Sequence, residues 1–148
     1  MKLVLSMSKL SLDVAYLTKA GQSGLKLSTS EAAALFVDEA KALVPVDTGN
    51  LQNHIHAEEV ENTGSRYLMN VQPFNEAAND YGFDPAYARR IEFGFMGVDR
   101  LGRQFHQAAQ PYMRPAWDMH QAEAAEIIRE GVYDALDAAM SSVAAKRR

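Results

Sequence analysis

Proline stands at positions 45, 111 and 115 of this 148-residue chain, each at an edge of an alanine-rich run, and no other feature constrains the fold as much. Proline lacks the N–H that a helix interior needs and biases the residue before it toward extended backbone, so helices stop at it or start with it. The run EAAALFVDEAKAL must therefore end by Val44. The run DMHQAEAAEIIREGVYDALDAAMSSVAA follows Pro111 and Pro115, which bracket YMR, and is predicted to begin after them. Between these two helices the sequence reads as turns and short strands.

Ser28 followed by Glu31 matches a capping box, which predicts the start of the first helix there. The preceding AGQSGLKLSTS, rich in Gly and Ser, reads as a linker, and residues 1–27 as a flexible or assembly-ordered arm. Helical spacing puts Ala32, Leu35, Phe36, Ala40 and Leu43 on the core face, and Glu31, Asp38 and Lys41 in water. Glu39 falls inside the apolar stripe; reaching out at its edge is the ordinary expectation, with a partner contact or an ion pair as alternatives.

In VPVDTGNLQNHI, Pro45 stops the helix, Asp47 and Thr48 suit an Asx- or ST-type turn that satisfies local backbone N–H groups, and Gly49 supplies backbone conformations other residues avoid. One helical turn at Gly49–Leu51 is expected, with Leu51 and Ile55 returning to the core. His54 to Glu61 reads as a strand, Asn62–Ser65 as a hairpin turn and Arg66–Gln72 as the second strand. Pro73–Pro85 reads as a loop or an insertion, AYARRIEFG as a helical turn leading into a strand, and MGVDRLGRQFHQAAQ as a hairpin or long loop around Asp99–Gly102. The last helix is expected to bury Ala116, Met119, Ala122 or Glu123, Ile127, Val132, Ala135 and Ala139, with Gly131 a weak point costing on the order of 1 kcal/mol relative to alanine. The fold class is α+β: a single domain, 1–148, in which a small antiparallel sheet packs against a helix of the N-terminal half and a long C-terminal helix.

Composition removes several function classes. With no cysteine, neither disulfides, thiolate metal sites nor a thiol nucleophile is available. Polar residues interrupt the N-terminal apolar run too early for a secretory signal, and no run approaches the roughly 20 apolar residues of a membrane span, so a soluble protein is expected. A net charge of −4 argues against a generic nucleic-acid binder. The charge is unevenly spread: Arg89, Arg90, Arg100, Arg103 and Arg114 outnumber Asp84, Glu92 and Asp99 in one segment. From Pro115 to Val143, Arg129 alone opposes Asp118, Glu123, Glu126, Glu130, Asp134 and Asp137. Such segments either meet across subunits or form two solvated faces.

Asp47-Thr48-Gly49 resembles an aspartic-protease signature, but that chemistry needs two carboxylates sharing a proton and a loop between strands, and here one copy follows a helix. His54 and His56 would share a strand face, with Glu58 in register, yet a transition metal requires a third or fourth ligand. Arg89 and Arg90, beside Tyr81, Phe83 and Tyr87, suit phosphate binding with base stacking, or equally a protein contact. With no phosphate loop, dinucleotide fingerprint, nucleophile elbow or paired carboxylates, no catalytic, cofactor-binding or metal residue is assigned and no cofactor is expected. A metal-dependent or nucleic-acid-acting enzyme using His54, His56 and Glu58 is the alternative from another class.

Three separated pieces, VPVDTGNLQNHI after an amphipathic helix, YARRIEFGFMG in mid-chain and QPYMRPAWD before the terminal helix, occur in an order that resembles the tailed-bacteriophage neck and tail-completion proteins typified by the gene-ten product of lambdoid phages with long non-contractile tails. The resemblance covers Ser28 to the end. Three departures stand out: Phe95 after Gly94, where the family often has Thr or a small residue, Gln52-Asn53-His54 before the isoleucine, and a segment from Pro73 to Pro85 longer than a minimal hairpin link. The resemblance implies a structural virion component at the head-tail junction, acting by ring assembly; a tail-terminator or minor tail protein is the alternative within that class. The implied partners are further copies of the chain, sixfold in the virion, and neighbouring head-completion and tail-terminator or tail-tube proteins. DNA would pass through without sequence-specific binding. The implied location is the virion, and the host cytoplasm during assembly. The residues expected to carry structure and assembly are Pro45, Asp47, Thr48, Gly49 and Leu51 at the corner, Tyr87, Arg89, Arg90, Glu92 and Gly94 in the central element, and Pro111, Arg114 and Pro115 at the entry to the last helix.

Overall fold

Apolar spacing and proline placement produce two long helices. The computed structural model describes residues 7–63, 66–73 and 85–146. In chain order these form α1 (Met7–Leu43), a short α2 (Asn50–His54), β1 (His56–Thr63), β2 (Arg66–Gln72), α3 (Pro85–Phe93), β3 (Phe95–Val98), β4 (Gln104–Gln107) and α4 (Met113–Ala145). The fold is α+β. Its strands form two separate antiparallel hairpins, β1–β2 and β3–β4, where one small sheet was expected. The β1–β2 ladder runs from His56 opposite Gln72 to Thr63 opposite Arg66, with an irregularity between Glu59 and Glu61. Lys26 of α1 pairs with Glu59 at 3.1 Å, and the Tyr67 hydroxyl donates to the same carboxylate at 2.9 Å, tying this hairpin to α1.

α1 and α4 lie antiparallel. Tyr16 of α1 meets Lys146 beyond the end of α4, Ser28 meets Ile128, and Phe36 stacks on Trp117 with ring centroids 5.0 Å apart. The expected linker and the capping box at Ser28 do not exist: α1 runs unbroken through Gly21 and Gly24. The physical reason is the partner helix. A Cβ on Gly24 would stand 2.6 Å from the Ala135 Cβ and 2.8 Å from the Gly131 carbonyl, and one on Gly131 would stand 2.5 Å from the Ser28 Cβ. These glycines are where two backbones touch, and the packing gained there offsets their low helix propensity. Ser28, buried in mid-helix, donates its hydroxyl to the Gly24 carbonyl at 2.7 Å instead of capping.

The core lies at the other end of the pair. Val37, Ala40 and Val44 of α1 and its exit meet Leu51, Ile55, Ala88, Ile91, Tyr112 and Ala116. Ile55 is fully buried, a contribution of about 2 kcal/mol for its side chain. Two expected faces need correction. Leu43 is exposed while Ala33 and Val37 are buried, because the stripe on α1 is centred about one residue away from the predicted one. On α4, Ala116 and Ala139 are buried as expected, but Met119, Ala122 and Glu123 are exposed and Ala124 takes the inward position. α4 also begins two residues before Pro115. That proline sits in the first turn, whose N–H groups have no partner within the helix, so its missing donor costs nothing.

Candidate functional site

The three sequence pieces converge on the core just described. At the corner, α1 ends at Leu43 before Val44-Pro45, and Gln52 reaches back so that its side-chain amide donates to the Lys41 carbonyl at 2.8 Å. Gly49 adopts a left-handed φ of 76° ahead of α2, a conformation that costs other L-residues on the order of 1–2 kcal/mol. The Thr48 hydroxyl accepts from the Asn50 N–H at 3.4 Å. The Asp47 side chain is exposed and takes no such part among the described residues. Leu51 is buried and Pro45 half-buried. Gly49→Val should lower the melting temperature by a few degrees, since the void around its Cβ is open and the cost is backbone strain alone. An unchanged thermal melt would show that the corner does not depend on that conformation.

His54 belongs to α2, not to the strand, and its Nδ1 lies 2.7 Å from the Asn50 carbonyl. His56 opens β1 with Nδ1 2.8 Å from the His54 carbonyl. The shared strand face expected for the two imidazoles is therefore absent, because a helical turn intervenes. Among the described residues no group of three His, Asp or Glu side chains is placed to hold a metal ion.

The decisive geometry lies between the second and third pieces. Glu92, at the end of α3, is buried, and its carboxylate faces the first turn of α4. Oε2 accepts from the backbone N–H groups of Tyr112 (2.8 Å) and Met113 (3.0 Å), and Oε1 from that of Arg114 (3.2 Å). A carboxylate from a distant element thus does what an N-cap side chain usually does, with its charge at the positive end of the helix dipole. Tyr112 is almost wholly buried beside it. Burial, with the Glu92 charge second, pushes its phenol up to about 12, so it stays neutral. Gly94 follows with φ 76°, and a Cβ there would lie 2.9 Å from the Gln107 carbonyl. It ends α3 as a left-handed C-cap and clamps the base of the β3–β4 hairpin. Pro111 is exposed, Pro115 half-buried and Arg114 exposed.

Above this junction an open, mainly apolar groove of about 870 Å³ runs between α1, the β1–β2 hairpin, α3 and α4. Phe36, Trp117 and Phe93 line it, together with Arg89 and Arg114. Arg90 faces elsewhere, its guanidinium 4.9 Å above the Phe95 ring, and Tyr87 is exposed. Tyr81 and Phe83, the expected stacking partners of Arg89 and Arg90, lie outside the described residues. The expected Asp99–Gly102 turn is present: Oδ1 of Asp99 accepts from the N–H groups of Leu101 (2.9 Å) and Arg103 (2.8 Å), and Oδ2 from the Arg103 side chain (2.6 Å). The Arg103 backbone N–H, first among these donors, holds the Asp99 carboxyl below its usual range.

A family model described as "Bacteriophage HK97-gp10, putative tail-component" matches residues 15–94, more than half of the chain. The chain belongs to the HK97-gp10-like family. Neither a curated protein nor a solved structure matches it. The HK97-gp10-like match runs from within α1 to Gly94, so it contains the corner and Glu92 and stops short of the α4 turn that Glu92 caps. It also places the fold in a family of phage tail components. No helix among the described residues is long and apolar enough to cross a membrane.

Sequence reasoning left His120 unassigned. Its Nε2 lies 3.1 Å from Glu39 of α1 and its Nδ1 3.0 Å from Glu123 of α4, so the Glu39 in the apolar stripe serves the ion-pair alternative. Only the doubly protonated ring can donate to both carboxylates. Glu123 first and Glu39 second raise the imidazole pKa above its usual value. A raised pKa contributes stability that is complete below the unfolded value of about 6.5 and is lost as pH rises through the folded one. The melting temperature should therefore fall as pH climbs through that window, and His120→Gln should flatten the fall. Identical pH profiles for the two proteins would remove the helix-to-helix clip.

Proposed function

We propose that this chain is a structural protein of the virion, a tail component that acts at the head-tail junction in neck or tail completion by assembling into a ring, and that it has no catalytic role. The observation that carries the non-catalytic reading is the use of Glu92: the one carboxylate that is buried in the three sequence pieces is consumed by three backbone N–H groups and is not free to move protons. Family membership supplies the tail. Heterologous contacts that close about an axis generate rings, and sixfold is the expected number in a tail. The neighbours in this reading are head-completion proteins on one side and tail-terminator or tail-tube proteins on the other. The acidic outer face of α4 suits a lumen through which DNA slides without sequence-specific binding.

The test is loss of the protein from a phage that encodes it. Full heads and separate, complete tails should accumulate, and labelled protein should mark the junction in restored particles by electron microscopy. Joined particles with tails of irregular length would overturn the neck reading in favour of a tail terminator. A stoichiometric transition metal on the purified protein, lost in His56→Ala, would overturn the non-catalytic reading in favour of an enzyme.

A further inference from the structure

Away from the core the helix pair stands alone, and two helices can bury only one stripe each against the other. Gly21, Gly24 and Ser28 of α1 face Gly131, Ala135 and Leu136 of α4 in that contact. At about 100° per residue, Lys9, Leu12, Tyr16 and Lys19 fall on the side of α1 turned away from it, and Glu130, Tyr133, Asp137 and Met140 on the side of α4 turned away from it. All of these are exposed, Leu12 by 70% and Tyr133 by 63% of their surfaces. Single exposed apolar residues are ordinary on a protein. Here they stand in both stripes at the 3-4-3 spacing by which one helix packs on another, with charged residues among them.

The two stripes carry opposite charge. Lys9 and Lys19 have no carboxylate partner among the described residues, and Lys146, over the Tyr16 ring, adds a further cation beside them. Asp13, the acidic residue of this stretch, is half-buried and already engaged. Glu130, Asp134 and Asp137 likewise have no cationic partner among the described residues, and no Lys or Arg lies between Glu130 and Met140. Exposed ion pairs add little affinity, so the charges select the partner and its approach while the apolar residues supply the burial. The stripes lie on opposite sides of one molecule and cannot meet within it. Between copies they can. The β1–β2 hairpin is fastened to α1 at Lys26, past the α1 stripe, and leaves it open.

We infer that the outer stripe of α1, Lys9 to Lys19, packs on the outer stripe of α4, Glu130 to Met140, of a second copy of this chain, with Leu12 and Tyr16 against Tyr133 and Met140 and the lysines among the carboxylates. Each copy offers its α1 stripe to one neighbour and its α4 stripe to the other, a contact that repeats around a closed ring or along a filament. The inference rests on the ring-assembly reading above and supplies its contact. It takes the last turns of the acidic α4 face and leaves Asp118, Glu123 and Glu126, nearer the start of the helix, open to a channel.

Reversing the charges of one stripe at a time isolates the contact. Lys9→Glu with Lys19→Glu, and separately Glu130→Lys with Asp137→Lys, should each weaken self-association by about tenfold or more in sedimentation, because each chain then carries like charges on both stripes. These side chains are exposed, so the circular dichroism spectrum should stay as in the parent. An equimolar mixture of the two variants should associate again, since alternating copies set opposite charges face to face. Undiminished association of either variant, or no recovery on mixing, overturns the inference. So does a parent chain that stays monomeric. If either variant still joins heads to tails as a ring, the contact is wrong and the neck function stands. If the protein is missing from joined particles while the mixture recovers association, the function is wrong and the contact stands.

Discussion

Glu92→Ala is expected to lower the unfolding free energy by about 3 kcal/mol, because three N–H groups at the start of α4 lose a charged acceptor where water has poor access. For a chain of this length that corresponds to a drop in melting temperature of roughly 10 °C. Two effects separate here. An ordinary N-cap loss accounts for about 1 kcal/mol; the remainder reflects hydrogen bonds to an ionised group and the buried donors left unpaired. Glu92→Gln should fall between parent and alanine variant. Its amide oxygen can accept from one or two of the N–H groups, but its NH₂ opposes the third and the charge facing the helix dipole is gone. Thermal melts of the three proteins decide the matter. Equal melts of parent and alanine variant would show that α4 starts without this carboxylate.

The second large effect lies at the helix crossing, where two magnitudes oppose each other. Gly24→Ala in an exposed helix would stabilise by on the order of 1 kcal/mol through helix propensity. At this position the new methyl would stand 2.6 Å from the Ala135 Cβ and 2.8 Å from the Gly131 carbonyl, neither of which can swing aside as a long side chain would. Overpacking of this kind costs about 1–3 kcal/mol, and pushing the two backbones apart also loosens the contacts on either side. The clash should win, with a net loss of about 2 kcal/mol. Ala135→Gly in the same chain should recover part of it, since one of the two obstructing atoms is then absent, and the double-mutant cycle should show that coupling. A higher melting temperature for Gly24→Ala would mean that the helices are not this close.

These two sites also show what the sequence could and could not reveal. Pro45, Gly49 and the Asp99–Gly102 tip announce themselves because the signal is local: a missing N–H, a need for left-handed backbone, a side chain that reaches its own neighbours. The helix period likewise exposes most of α4. Gly21 and Gly24 were misread because a glycine permitting close packing has the same composition as one in a linker, and only the opposite helix distinguishes them. Ser28-x-x-Glu31 satisfied a capping rule in the middle of a helix for the same reason. Glu92 stood inside a recognised motif, but its partners are 20 to 22 residues away along the chain, beyond any periodicity. The groove was invisible altogether. It is made of walls from α1, β2, α3 and α4, and each wall looks like ordinary core or surface by itself. The uneven charge was readable, whereas the fold was needed to show that none of the acidic side chains of α4 lines the groove.

The antiparallel pairing of α1 with α4 sets the core at one end of the helix pair and leaves the other end to the two helices alone. Tyr16 and Lys146 sit together, the Lys146 ammonium 5.3 Å from the ring centroid, while the turn that Glu92 caps lies at the other end of α4, about 50 Å away along a helix of that length. A fluorophore or gold label attached beside Lys146 would therefore report orientation without touching the core at the far end of the pair. Seen in a ring, the radius at which such labels appear would tell directly whether the helix pairs point outward like spokes, inward to the channel, or along the tail axis.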